Sequence, residues 1–126
     1  MRGGIPTESE EQQALFRWAA YARCGIPELG MLYHIPNEGK RSAATGGRMK
    51  AEGLKKGVPD ICLPVARGGF HALYIEMKRT KGGRTSDEQR EWMEALGSQG
   101  NLACVCRGWN AARRTILEYL GREDAE

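Results

Sequence analysis

Apolar and polar positions alternate along this chain with two different periods. From residue 7 to residue 22, Leu15, Trp18, Ala19 and Ala22 recur at helical spacing and predict an amphipathic helix. Thr7 or Ser9 can cap it, and Glu8, Glu10 and Glu11 suit its positive end. Gly25 and Pro27 predict its stop. Residues 31–35 read as a short strand closed by Pro36 and Asn37, and residues 42–52 as a weak helix containing Gly46 and Gly47. A strand over 57–64 is entered through Pro59, Gly68 and Gly69 make a turn, and a second strand follows over 72–78. Residues 81–84 form a basic, glycine-rich loop. Ser86 opens a helix with Gln89 at capping-box spacing and Trp92, Met93 and Leu96 behind it. Residues 101–106 predict another strand. Residues 109–120 predict a last helix, with Ala112, Ile116, Tyr119 and Leu120 toward the core. No segment repeats. The order α-β-α-β-β-α-β-α implies an α/β fold, a central mixed β-sheet flanked by helices.

Composition narrows this picture. At 126 residues, with 40% hydrophobic and 28% charged, the chain suits one folded domain over 1–126, its core about 8–120. No apolar run is long enough to span a membrane, and the first nine residues lack the apolar core of a secretion signal. The expectation is a cytoplasmic protein with no membrane partner. Cys24, Cys62, Cys104 and Cys106 are then expected to be reduced, and to serve as small buried hydrophobes. A zinc site from Cys62, Cys104, Cys106 and a histidine has no supporting CxxC or HxxxH spacing.

The net charge of +3 hides an uneven distribution. Residues 38–84 carry eleven Lys and Arg against four acids, +7, and the remainder sums to −4. A basic middle between acidic ends suggests a polyanion-facing side, although a solvated lysine-rich surface has the same composition.

Two strands break the usual separation of charge from core. On 72–78, alternation sets Leu73, Ile75 and Met77 on one face and Tyr74, Glu76 and Lys78 on the other. On the earlier strand Asp60 shares a face with Val58 and Cys62. Both strands are apolar enough to be central, so Asp60, Glu76 and Lys78 converge beside one turn. Buried charges need partners or a metal. Two carboxylates a few ångströms apart are a natural seat for Mg²⁺ or Mn²⁺. A neighbouring lysine can orient a water and offset phosphate charge. Glu11 lies one turn before Leu15 on the buried helix face and needs a partner, a metal or an arginine, with Glu8 the alternative one turn earlier. Gln89 also faces inward. It can complete the Ser86 capping box or reach the charged cluster, and its side chain is expected to choose one of these. His34 and His71 have no motif partner and read as structural or surface residues.

Gly57-Val58-Pro59-Asp60, residues 73–78 ending in Glu76-Met77-Lys78, and Thr85-Ser86-x-x-Gln89-x-x-Trp92 together resemble the VRR-NUC domain, a branch of the PD-(D/E)xK nucleases. Pro36-Asn37-x-Gly39-x-Arg41 is similar to that family's segment before the catalytic strand. The resemblance spans Glu8 to about Tyr119. It implies a restriction-endonuclease-like core and hydrolysis of DNA phosphodiesters with Mg²⁺ or Mn²⁺. On that resemblance Asp60 and Glu76 are metal ligands, the Met77 carbonyl completes the shell, Glu11 supports the metal, Lys78 positions water, and Gln89 braces Lys78 or the phosphate. The stand-alone phage or bacterial members it resembles are associated with homodimers acting on branched DNA such as four-way (Holliday) junctions, which leaves genome processing, recombination and repair all open as the pathway. The segment holding Asn37 with Lys40, Arg41, Arg48, Lys50, Lys55, Lys56, Lys81 and Arg84 is expected to grip DNA phosphates. Alternative readings are an exonuclease or flap preference, and a non-catalytic nucleic-acid-binding module on the same fold.

Overall fold

The computed structural model describes residues 4–37 and 43–123, and of residues 43–45 the backbone alone. Helix α1 (Glu8–Ala22) starts at Thr7, whose hydroxyl accepts from the Glu10 amide while the Glu10 carboxylate accepts from the Thr7 amide. Of the two candidate caps the chain uses Thr7. Leu15 and Ala19 of α1 are buried. Next comes a 3-10 turn, Pro27–Met31, anchored by buried Leu29. The strand expected over 31–35 is therefore shorter. Met31 is still in the turn, and β1 is only Tyr33–His34. The proline's fixed φ suits the first position of a helical turn, which delays the extended segment.

Helix α2 (Ala43–Ala51) precedes strand β2 (Ile61–Leu63). The strand expected over 57–64 is cut to its centre. Gly57 sits at φ +92, and Pro59 and Pro64 have no amide to give a ladder. Strand β3 (Leu73–Lys78), helix α3 (Asp87–Ser98), strand β4 (Leu102–Arg107) and helix α4 (Trp109–Tyr119) complete the chain, close to the expected boundaries.

The sheet order is β1-β2-β3-β4, antiparallel except for the parallel β3–β4 pair, so the sheet is mixed as expected. Its register pairs Ile61 with Ile75, Ile75 with Cys104, and Met77 with Cys106. One face therefore presents Ile61, Leu63, Leu73, Ile75, Met77 and Cys106, which pack with Leu15 and Ala19 of α1 and Ala112 and Ile116 of α4. Burying each large aliphatic side chain here contributes about 1.5–3 kcal/mol. The other face carries Tyr74, Glu76 and Lys78, with α3 above it. Cys62 pairs with Tyr74 and so lies on that second face, opposite Cys104 and Cys106. A shared zinc site is excluded by this alternation. Cys62 and Cys106 are buried in the sheet, Cys104 is partly buried, and Cys24 is exposed.

Candidate active site

The alternation that fills the core also forces charge into the sheet. Glu76 and Lys78 are 2% and 5% exposed, and Asp60 is 8% exposed. The β2–β3 register, extended one step beyond Ile61 and Ile75, brings Asp60 beside Glu76.

Asp60 is held from several sides. Its Oδ2 accepts from the Met77 amide at 2.7 Å and its Oδ1 from Asn37 Nδ2 at 3.4 Å. Its carbonyl accepts from the Ile35 amide at 2.6 Å and lies 2.9 Å from His34 Nδ1, a ring nitrogen that also lies 3.1 Å from Gln12 Nε2. His34 is thus exposed yet structural, in line with its sequence reading.

Gln89 links everything on the α3 side. Its Oε1 accepts from the Ser86 amide at 2.9 Å and from Lys78 Nζ at 3.1 Å, while its Nε2 donates to Glu76 Oε2 at 2.9 Å. The expectation that Gln89 must choose between cap and site is corrected. A primary amide has a donor end and an acceptor end with two lone pairs, so one side chain serves both. Lys78 Nζ also donates to the Arg84 carbonyl at 2.9 Å and lies 3.8 Å from Glu76 Oε2.

One atom is left over. Glu76 Oε1 is buried and has no hydrogen-bond partner. Such an orphan is costly unless something absent from the apoprotein meets it. Burial, first, and then the negative charge of Asp60 push the Glu76 carboxyl up to about 8, with Lys78 pulling the other way and Glu8 adding to the rise. The oxygen donors of Asp60, Glu76 and a nearby backbone carbonyl fit a hard divalent cation. Among the described residues no group of three or more His, Cys, Asp or Glu is poised to hold a metal, so any ion here would rest on these two carboxylates and on backbone oxygen or water.

The two α1 carboxylates have different surroundings. Glu11 is buried as expected, but its Oε1 accepts from the Trp109 amide at 2.9 Å. Trp109 opens α4, whose N-cap is Gly108 with no side chain to bond. Glu11 supplies that cap from another helix and meets the positive end of α4. This contact gives the buried Glu11 a partner other than an arginine. Glu8 is instead the α1 carboxylate whose charge reaches Glu76. Gly83 sits between Glu8 and Lys78: a Cβ there would lie 3.7 Å from Glu8 Oε2 and 3.8 Å from Lys78 Cδ.

The structure places Arg48, Lys50, Lys55, Lys56, Lys81 and Arg84 at the surface, with Lys56 paired to Glu88 at 3.7 Å. Lys40 and Arg41 lie outside the described residues. Asn37 turns to Asp60, and so supports the carboxylate pair. Sequence reasoning missed Arg107. It lies in an acidic end of the chain, and only the parallel register with Lys78 brings it here.

A mixed sheet with helices on both faces, and an Asp and a Glu-x-Lys gathered where two strands meet, defines a nuclease-type fold. The VRR-NUC domain family matches residues 7–110. A solved structure described as a VRR_NUC domain protein is 29% identical, with a TM-score of 0.79, covering 98% of this chain and 95% of that one. No curated protein matches. The chain belongs to the VRR-NUC family, a family of nucleases acting on DNA.

Proposed function

We propose that this protein is a divalent-metal-dependent DNA endonuclease, a homodimer selective for branched DNA such as four-way junctions, working in the cytoplasm. The observation that carries the catalytic part is the orphaned Glu76 Oε1, buried beside Asp60 and next to a Lys78 whose ammonium is anchored by two oxygens.

Asp60 and Glu76, with the Met77 carbonyl, would hold Mg²⁺ or Mn²⁺, which polarises a phosphate and lowers the pKa of a bound water. Lys78 lies beside this pair and stabilises negative charge developing on the phosphate. Gln89 fixes one oxygen of Glu76 and the direction of Lys78 at once, so the pair is oriented before substrate arrives. Glu8 is the α1 carboxylate of the site. The exposed Arg48, Lys50, Lys55, Lys81 and Arg84, with Lys40 and Arg41, grip flanking phosphates, which confers affinity without base specificity. Selectivity then comes from DNA shape, and two copies related by a two-fold axis match the symmetry of a junction.

The test is cleavage of four-way, flap and linear DNA with Mg²⁺, Mn²⁺ or EDTA, alongside light scattering for mass. Wild type should cut with either metal and stop in EDTA. Asp60→Asn and Lys78→Ala should lower kcat by roughly 10²-fold or more. Glu8→Gln should slow cutting more than Glu11→Gln does. Full activity in both Asp60→Asn and Lys78→Ala would sink the site assignment. Equal cutting of linear and branched DNA, or stepwise loss from DNA ends, would replace the junction reading with a flap or exonuclease one. A monomer by mass would remove the dimer.

A further inference from the structure

We propose that Arg107 is a positioning residue of this site, acting through the loop that follows Lys78. The inference deepens the nuclease reading and rests on it for the role of Lys78.

Arg107 ends β4 and is the direct register partner of Lys78 at the end of β3. In a parallel pair such partners project from the same face, so Arg107 rises beside the carboxylate–lysine cluster. Its guanidinium makes three hydrogen bonds to the loop. Nη1 donates to the Arg79 carbonyl at 3.1 Å and the Gly82 carbonyl at 2.6 Å, and Nη2 donates to the Gly83 carbonyl at 3.1 Å. One planar fork thus ties both ends of the five-residue stretch 79–83.

That bend needs tying. Gly82 and Gly83 both sit at positive φ, 76° and 72°, and adjacent glycines carry the largest backbone entropy to be lost on ordering. What the loop does once ordered bears on the site. It brings the Arg84 carbonyl to 2.9 Å from Lys78 Nζ. It places Gly83 in the narrow space between Glu8 and Lys78. It also presents exposed Lys81 and Arg84 beside the cluster. Without the clamp, Lys78 loses one of its two oxygen anchors. A lysine at 107 keeps the charge but ends in one nitrogen, and so gives up the rigid fork in which Nη2 holds the Gly83 carbonyl while Nη1 holds those of Arg79 and Gly82.

Arg107→Lys and Arg107→Gln separate the readings. In metal-free, DNA-free protein, trypsin should cut after Lys81 or Arg84 at least about fivefold faster in both variants, because the loop opens locally. In cleavage assays Arg107→Lys should lower kcat by about tenfold while KM stays within about threefold, the pattern of a misplaced catalytic group. Wild-type proteolysis rates in both variants would overturn the clamp. A rise in KM with kcat unchanged would make Arg107 a phosphate contact and overturn the positioning role. If wild type cuts no DNA at all, the nuclease reading falls and the catalytic half of this proposal with it, whereas the proteolysis still decides whether Arg107 holds the loop.

Discussion

Glu76 concentrates the conflict between folding and chemistry. Strand alternation buries it, Asp60 adds a second carboxyl beside it, and Lys78 compensates only in part. Its carboxyl is raised to about 8, above the ordinary glutamate range that holds in the unfolded chain. Between those two values the folded protein holds a proton that the unfolded chain has released, so folding stability falls as pH rises. Metal-free protein should therefore melt at progressively lower temperature from about pH 5 to pH 8, the interval between an ordinary glutamate and the shifted one. Glu76→Gln should flatten that slope, and saturating Mg²⁺ should reverse part of it by replacing the proton. A melting temperature that rises over this range in metal-free wild type would contradict the assignment. The inward placement of Glu76, Lys78, Asp60 and Glu11 was legible from spacing alone, since period 2 and period 3.6 decide which way a side chain points. Glu11's partner was not, because α4 begins 98 residues further along the chain.

At the scale of elements, α3 is the delicate one. None of its residues is fully buried, so its docking depends on its first turn. There the Ser86 capping box, Gln89 and the close approach of Gly57 all meet. A Cβ on Gly57 would lie 2.7 Å from the Glu88 backbone carbon, at a φ of +92 that suits only glycine. Gly57→Ala should cost about 1–3 kcal/mol, measured as a lower urea midpoint, and should reduce cleavage because Gln89 moves with the helix. An unchanged midpoint would show that α3 docks elsewhere. The capping box was readable as a four-residue motif. Gly57 read only as part of a motif, because nothing local announces that a helix thirty residues later will touch it. The short β1 and β2 have a similar origin. Apolar runs marked the strands, and the neighbouring prolines and the 3-10 turn set how few residues could join the ladder.

For the whole molecule, the uneven charge acquires a direction. Arg48, Lys50, Lys55, Lys56, Lys81 and Arg84 of the central segment are exposed, whereas Asp60 and Glu76 are buried. DNA affinity measured in EDTA should therefore fall steeply with salt, by about 10³-fold or more between about 50 and 200 mM if six or more phosphates are engaged. Lys81→Ala with Arg84→Ala should make that slope shallower by up to about two units. Binding insensitive to salt would remove the phosphate-gripping surface. By itself the sequence determined the element order, the mixed sheet, the core face and the inward set of carboxylates and lysine, because these follow from local periodicity and turn chemistry. Tertiary structure decided the partners. It gave Glu11 a partner on α4, let Gln89 bond at both ends, separated Cys62 from the other sheet cysteines, and brought Arg107 beside Lys78. Which way a side chain points is fixed within a few residues, but what it meets depends on packing between segments far apart in the chain.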